Sequence, residues 1–329
     1  MRRREFLETL SVAVGAAPPC GAATQARPDA YRIGLLSTAA PVTPDDGFGP
    51  SLFRALARRG YALDRNLLVE THGVMGTVER LPQLVDRLVA DQVEVIVTFG
   101  YPAALAAKQR SAAVPVVLVG AGDPVATGLV DSLARPGGNV TGVTETATDL
   151  SAKRLELLKE VVPTIGNVAV LWNADDLAMT LRYQAVEATG QALGVAVRPL
   201  GVRAPDDFEA AFSAMARDPP DAILMVTDTL TRLNRKRVYE FAAAHRLPAV
   251  YEEDSFARDG GLMSYGPDRD EVLDRAAGLV DRILHGARPS ELPLEQPTRF
   301  RVAVNLKTAG ALGLTVPQSV LFSADELIE

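Results

Sequence analysis

Residues 93–120 read VEVIVTFGYPAALAAKQRSAAVPVVLVG and contain one complete strand–helix–strand unit. Its two ends are rich in Val, Ile and Leu, and between them PAALAAKQR (102–110) has the composition of a helix. Runs that are apolar at consecutive positions are typical of strands whose two faces are both buried. The stretch therefore predicts a parallel β-sheet that is covered by helices on both faces.

The same alternation continues on both sides of this unit. Upstream, YRIGLLS (31–37) and LLVETHG (67–73) predict strands, and each is followed by a stretch with apolar residues at helical spacing. Turn-forming residues interrupt the alternation at 131–143, after which strand and helix patterns resume and continue to residue 253. Two successive sets of such units predict an α/β fold of two doubly wound parallel-sheet lobes.

Three short strand patterns predict how the two lobes are connected. They lie at 140–144, 261–265 and 299–305. We expect each of them to carry the chain between the lobes, which gives a three-strand hinge and a ligand cleft at the carboxyl ends of the strands. The predicted division is 31–142 plus 264–298 for lobe 1, and 143–263 plus 299–329 for lobe 2.

The composition excludes several classes of protein. The 329 residues carry 34 Lys and Arg against 41 Asp and Glu, a net charge of −7 that argues against a nucleic-acid partner. A single cysteine cannot form an internal disulfide or a cysteine-rich metal site. The three histidines, His72, His245 and His285, include no pair with metal-ligand spacing. We therefore predict a protein without a metal centre.

Catalytic motifs are also missing from the sequence. Gly120-Ala121-Gly122 follows a strand pattern, but Val125 stands where a dinucleotide-binding motif needs its third glycine. The sequence contains no P-loop, and Leu262 replaces the first glycine of a nucleophile elbow around Ser264. No candidate base has a placed partner. We predict neither enzymatic activity nor a cofactor.

Residues 1–26 have the pattern of an export signal. Three arginines at positions 2–4 precede a short, weakly apolar segment and several alanines, and RREFL (3–7) resembles the core of a twin-arginine signal. A general secretory signal is the alternative. Because prolines directly precede Cys20, we expect no lipid anchor there, but cleavage near Ala26 and a periplasmic location.

The carboxyl ends of the predicted strands differ in polarity between the lobes. Those of lobe 1 are mostly uncharged and run into helix N-termini, whose free N–H groups can hold a carboxylate; they include Ser37, Thr98, Gly100 and Tyr101. Those of lobe 2 are acidic and could receive an ammonium group; they include Asn173, Asp175, Asp228, Tyr251 and Glu252. Asp and Thr at such positions are also ordinary helix caps, and this alternative stays open.

Several longer motifs carry a family resemblance. They are DPVATGLVDSLARPGGNVTGV (123–143), AKRLELLKEVVP (152–163), LPAVYE (247–252), GGLMSYGPD (260–268) and NLKTAGALGLTVPQS (305–319). Together, and in this order, they resemble the bacterial ABC-transporter substrate-binding proteins of the tryptophan/tyrosine-binding-like group. The resemblance implies a type I periplasmic-binding fold whose two lobes close over a small ligand, and delivery of that ligand to a membrane permease. It implies no catalysis.

The resemblance also implies which residues contact the ligand. Carried over position by position, the contacts are Ser37, Thr98, Gly100, Tyr101, Asp123, Asn173, Asp175, Asp228, Tyr251 and Glu252. The chain departs from its relatives in two of these turns, because they often carry an Asn/Ser/Pro-rich turn at 173–176 and Asp-Asn at 228–229.

The resulting hypothesis is a monomeric periplasmic receptor for an amino acid or a related carboxylate. Lobe 1 would hold the carboxylate through backbone N–H groups and the hydroxyls of Ser37 and Thr98. Asp228 of lobe 2, assisted by Asp175 or Glu252, would hold the ammonium group. The aromatic residues Tyr101, Trp172 and Tyr251 would enclose the ligand side chain. An extracytoplasmic sensor for a signalling receptor and an enzyme on the same fold are the alternatives.

Overall fold

The structure is a computed structural model that describes residues 30–329, so the predicted export signal lies outside the described residues. The strands are β1 (Tyr31–Ser37), β2 (Leu67–Gly73), β3 (Val95–Phe99), β4 (Val116–Val119), β5 (Val140–Val143), β6 (Asn167–Asn173), β7 (Ala196–Val202), β8 (Ala222–Met225), β9 (Ala249–Tyr251), β10 (Met263–Pro267), β11 (Phe300–Asn305) and β12 (Glu326–Ile328). The α-helices are α1 (Gly49–Arg58), α2 (Leu81–Ala90), α3 (Tyr101–Arg110), α4 (Ala147–Val161), α5 (Leu177–Leu193), α6 (Asp207–Arg217), α7 (Thr229–Leu233), α8 (Arg235–Ala244), α9 (Asp254–Arg258), α10 (Arg269–Leu284), α11 (Leu306–Leu312) and α12 (Gln318–Ser323). Short 3₁₀ turns lie at Val78–Arg80 and Pro289–Glu291.

The strands form two separate sheets, as predicted. The first has five strands in the order β2-β1-β3-β4-β5, and all of its pairs are parallel. The second has seven strands in the order β12-β11-β10-β9-β8-β6-β7, and only its β10–β11 pair is antiparallel. The α/β fold class with two doubly wound lobes is therefore confirmed.

Each sheet is covered by helices on both faces. On one face of the first sheet, side chains of β3 such as Val97 pack with Leu56 of α1 and Leu273 of α10, while the other face packs against α2 and α3. The second sheet is covered by α4 and α5 on one face and by α6, α8 and α9 on the other. Complete burial of a leucine contributes about 1.5–3 kcal/mol. The apolar side chains between the sheets and their helices therefore provide most of the stability of the fold.

The chain passes between the sheets three times, next to the strands that the sequence singled out. Strand β5 belongs to the first sheet, whereas β10 and β11 pair with each other in the second. Helix α10 lies between β10 and β11 in sequence, yet it packs against α1 and the first sheet. The crossings are thus the segments that follow β5, follow β10 and precede β11.

This topology corrects one boundary of the predicted lobes. The prediction assigned 264–298 to lobe 1, but residues 264–267 are hydrogen-bonded in the second sheet, where β10 pairs with β9 and β11. Lobe 1 therefore consists of the first sheet with α1, α2, α3 and α10. Lobe 2 consists of the second sheet and the remaining helices.

The helix pattern predicted at 230–246 is divided in the structure. Helix α7 ends at Leu233, and α8 begins at Arg235. The side chain of Asn234 between them donates to the carbonyl of Leu230. Among residues 30–329, no helix is both long and apolar enough to cross a membrane, and no three acidic, His or Cys side chains converge as metal ligands.

Candidate functional site

A cleft of about 740 Å³ lies between the carboxyl ends of the strands of the two lobes. The strand register explains its walls, because Ser37 at the end of β1 lies beside Phe99 at the end of β3. In lobe 2, β6, β8 and β9 likewise end at the same edge of the sheet. Seven of the ten predicted contact residues line the cleft: Ser37, Gly100, Tyr101, Asn173, Asp175, Asp228 and Glu252.

The remaining three predicted residues do not line it, for three different reasons. Thr98 points from β3 into the sheet-to-helix layer and is completely buried. Asp123 folds back on its own turn and accepts hydrogen bonds from the N–H groups of Val125 and Ala126. The ring of Tyr251 is also completely buried. It packs edge-on against Tyr239 and Phe256 in the hydrophobic core of lobe 2.

Trp172 is the other aromatic residue that was predicted to enclose the ligand side chain and does not line the cleft. It stacks on Tyr183 of α5 with ring centroids 4.0 Å apart and is 8% exposed. Of the three predicted aromatic residues, only Tyr101 lines the cleft. Two that were not predicted, Phe48 and Phe99, also line it, and their rings stack at 5.2 Å.

The part of the lobe 1 wall formed by the ends of β1 and β3 is uncharged and leads into the N-terminus of α3, although Glu79, Arg269 and Asp270 of lobe 1 also line the cleft. Gly100 precedes this helix with φ of 93°, a conformation that favours glycine. The first N–H groups of a helix have no partner within it, and no side chain caps those of α3, whose second residue, Pro102, has no N–H. Together with the hydroxyl groups of Ser37 and Thr38, the N–H groups of α3 form a surface that can bind an anion.

The lobe 2 wall carries carboxylates that are already engaged. Asp228 accepts hydrogen bonds from the N–H and hydroxyl groups of Thr231 and, at 2.6 Å, from the side-chain amide of Asn173. Asp176 caps α5 by accepting from the N–H groups of Ala178 and Met179. Burial, reinforced by the negative charge of Asp228, raises the pKa of Asp176 to about 6.

Asp175 and Glu252, the two predicted assistants of Asp228, are each paired with arginine. Asp175 is exposed and lies 3.2 Å from the guanidinium of Arg203. Glu252 is largely buried, and its Oε1 accepts hydrogen bonds from both Arg154 and Arg182. Glu252 lines the cleft, but these two arginines already bind its carboxylate, so it is not free to receive an ammonium group.

Sequence reasoning missed these two arginines. Both are almost completely buried, and burial lowers the pKa of each guanidinium to about 9. Arg154 lies on the same face of α4 as Leu150 and Leu158, which are buried. A charged residue in an apolar stripe requires a buried partner, so this pattern could have indicated the network.

A second ion-pair group connects the lobes. Glu253 accepts hydrogen bonds from Arg232 and Arg269, and their charges lower its pKa although burial opposes them. Both guanidinium groups lie over the ring of Phe48 in lobe 1, at 5.9 and 5.2 Å from its centroid. A hydrogen bond of 2.6 Å between the hydroxyls of Thr38 and Thr229 also bridges the lobes. Arg232 and Thr229 belong to α7 of lobe 2, so closure of the cleft involves this helix.

Glu145 is the remaining acidic group of the inner cleft, and sequence reasoning missed it as well. It lies in the crossing segment that follows β5 and lines the cleft. Burial raises its pKa, and the charge of Arg182 acts in the opposite direction. The visible sign in the sequence was an acidic residue two positions after the apolar strand VTGV (140–143).

Comparison with known proteins identifies the family. Residues 49–328 match the family described as ABC transporter substrate binding protein. The chain belongs to this family. The resemblance found in its sequence motifs is thereby confirmed, and with it the type I periplasmic-binding fold.

Individual relatives agree with this assignment. The chain is 24% identical to the tyrosine-binding protein of Clostridioides difficile strain R20291 over 262 residues, which are 79% of this chain and 75% of that protein. The ABC domain from Streptococcus pneumoniae in complex with L-Trp has a TM-score of 0.84 at 23% identity, covering 91% of this chain and all of that one. A ligand-free, open substrate-binding protein with adhesive properties from Clostridium difficile has a TM-score of 0.66 at 21% identity, covering 91% and 99% of the two chains.

Family membership gives the general role. Proteins of this family bind a small molecule, work outside the cytoplasm and typically act together with an ABC permease. They are solute-binding proteins rather than enzymes.

Proposed function

We propose that this protein is the periplasmic receptor of an ABC importer and that it binds an amino acid or a related carboxylate by closure of its two lobes. The proposal rests mainly on the different polar groups that the ends of the strands present in the two lobes. Lobe 1 contributes hydroxyl groups and the uncapped N-terminus of α3, whereas lobe 2 contributes carboxylates. A zwitterion that bridges the cleft would satisfy both walls.

The ligand carboxylate would lie at lobe 1. The N–H groups at the start of α3 and the hydroxyls of Ser37 and Thr38 face this part of the cleft. Thr98, which was expected to contribute a hydroxyl, is too deeply buried to do so. The ammonium group would then face the acidic wall of lobe 2, and the side chain would contact Tyr101, Phe48 and Phe99.

Two relatives indicate which compounds should be tested first. One is a tyrosine-binding protein, and the other was solved in complex with L-Trp. We propose that the present ligand belongs to the same chemical class. Aromatic residues on the lobe 1 wall support an aromatic or apolar side chain, because ring contacts there would bury it without needing a charged partner.

Binding can be tested directly. Mass spectrometry of small molecules released from the purified protein should detect an amino acid or a related carboxylate. In a thermal-shift screen of amino acids and aromatic acids, L-tryptophan or L-tyrosine should raise the melting temperature, since a ligand well above its Kd stabilises the folded state. If no compound is released and none shifts the transition, the proposed ligand class is wrong.

Transport and export need separate experiments. Cells lacking the protein should lose uptake of the compound identified by binding, and the gene supplied in trans should restore it. Unchanged uptake combined with tight binding would favour a sensor over an importer. We further propose export through the signal at 1–26, so changing Arg3 and Arg4 to lysine should retain the protein in the cytoplasm on cell fractionation if the twin-arginine route is used.

A further inference from the structure

We propose that Glu145, rather than Asp228, is the group that receives the ligand's ammonium, and that the cleft therefore selects for a protonated amine over the corresponding simple carboxylic acid. This inference rests on the proposed function, and it names the residue that determines ligand class at that site.

The backbone holds Glu145 at a fixed place between the lobes. The hydroxyl of Thr144 donates to the carbonyl of Gly122 at 3.1 Å, and the Thr144 N–H donates to the carbonyl of Glu295 at 2.9 Å. Thr146 has φ of 49°, a left-handed conformation that is unusual for a β-branched residue. Such a conformation persists only where the surrounding structure imposes it. Hydrogen bonds and a constrained backbone thus hold the segment that carries Glu145, which lines the cleft.

The carboxylate of Glu145 lines the cleft but has no partner. It packs closely against Gly120, where a Cβ atom would lie only 3.3 Å from its Oε1. Within residues 30–329, no side chain or N–H group forms a hydrogen bond or an ion pair with it. A half-buried, unpaired carboxylate has lost part of its solvation, and a bound cation would compensate for that loss.

The other inner-cleft carboxylates differ from Glu145 in this respect. Asp228 already accepts three hydrogen bonds, two of which fix the start of α7. Glu252 and Glu253 are each bound by two arginines. An ammonium group at any of these positions would compete with existing partners, whereas at Glu145 it would displace none.

The charges around Glu145 are also compatible with a zwitterion. Three guanidinium groups of lobe 2 lower the pKa of Glu145 and so oppose the effect of burial; they belong to Arg182, Arg154 and Arg232. They favour the ionised carboxylate that an ammonium group needs. Because the ligand carboxylate would be held by the hydroxyls and N–H groups of lobe 1, a free amine without a carboxylate should bind less well than the full amino acid.

The test compares three probes that differ only in their charged groups: L-tryptophan, tryptamine and indole-3-propionate, which lacks the amine. Calorimetry would measure their affinities for the wild type and for Glu145→Gln, which keeps the size and removes the charge. We expect the wild type to prefer L-tryptophan to indole-3-propionate by about tenfold or more, the range of one charge-assisted hydrogen bond. Glu145→Gln should abolish this preference by weakening L-tryptophan alone.

Two further variants complete the design. Glu79→Gln removes an exposed carboxylate at the mouth of the cleft and should leave the preference for the amine unchanged. Glu145→Asp keeps the charge and should retain part of that preference. Binding of indole-3-propionate to Glu145→Gln at wild-type affinity shows that the variant is folded.

The outcomes separate this inference from the proposed function. If Glu145→Gln binds L-tryptophan as tightly as the wild type does, or if the preference is lost only in Asp228→Asn, the assignment to Glu145 is overturned and the amino-acid receptor stands. If the wild type binds neither L-tryptophan nor L-tyrosine, the proposed aromatic class of ligand is overturned, and the assignment to Glu145 with it.

Discussion

Asp176 is a cleft carboxyl group whose pKa the fold raises well above its ordinary value. It is 5% exposed, it caps α5, and it lies near Asp228, so burial and like charge both disfavour its ionised form. Its two hydrogen bonds from the helix N-terminus offset only part of this cost. The pKa is consequently raised from an ordinary 3.8 to about 6.

This shift predicts a pH dependence of stability. A raised carboxyl pKa means that the folded chain binds a proton at a pH where the unfolded chain does not, so stability increases as the pH falls through about 6 towards 4. We expect the wild type to gain about 2 kcal/mol of unfolding free energy relative to Asp176→Asn between pH 7.5 and 4.5. Asparagine is an equally good N-cap, so the helix is preserved. Urea denaturation at both pH values measures this difference, and an unchanged difference would contradict the assignment.

At the scale of elements, three of the helices that begin at the cleft differ in how their first N–H groups are capped. Helices α5 and α7 have aspartate caps, Asp176 and Asp228, that satisfy their first N–H groups. Helix α3 has Gly100 before it and no side-chain cap. The capped helices present negative charge to the cleft, while α3 presents unsatisfied donors. The polarity of the cleft beside these three helices therefore follows from how each of them begins.

The capping role changes what a substitution of Asp228 should do. Asp228→Ala removes the acceptor for the N–H group and the hydroxyl of Thr231, and it should lower the free energy of unfolding by about 1 kcal/mol. Asp228→Asn keeps an acceptor and should stay close to the wild type. Urea denaturation of the two variants at pH 7.5 decides this, and equal stability of both would show that the cap contributes nothing.

At the scale of the whole molecule, few contacts hold the lobes against each other across the cleft. The hydroxyl pair of Thr38 and Thr229 is one, and the two arginines over the Phe48 ring form another. Gly122 of lobe 1 also approaches Ala178 of lobe 2, since a Cβ on that glycine would lie 2.8 Å from the alanine Cβ. Contacts of this size can be exchanged for ligand contacts, as hinge closure requires.

A single hydroxyl should therefore influence the balance between open and closed forms. Thr229→Val removes the hydrogen bond to Thr38 at nearly constant volume. We expect a larger radius of gyration in small-angle X-ray scattering without ligand. We also expect about fivefold weaker binding of L-tryptophan, because one hydrogen bond contributes about 1 kcal/mol.

Thr308→Val is the matched control for this prediction. The Thr308 hydroxyl donates to the carbonyl of Gly260 within lobe 2, so its loss leaves the contacts between the lobes intact. Scattering curves that coincide for the two variants would show that the Thr38–Thr229 contact does not control closure.

Local sequence determined the strands and the general position of the cleft. The apolar runs of β3 and β4 can be buried on both faces only in a covered parallel sheet, and parallel strands bring their carboxyl ends to one edge. Ser37, Gly100 and Asp228 could therefore be assigned to the cleft from their positions alone. The family motifs extended the same information to the ligand class.

The tertiary structure decided which side chains are free. Tyr251 follows the same strand-end pattern as Tyr101, but only the packing of β9 against Tyr239 and Phe256 shows that its ring belongs to the core. Glu252 resembled a ligand-binding acid until Arg154 and Arg182, from two different helices, were found on it. Hydrophobic patterning acts over a few neighbouring residues, whereas the pairing of a buried charge depends on elements distant in sequence. That is why the fold could be predicted from the chain, and the unpartnered carboxylate of Glu145 could not.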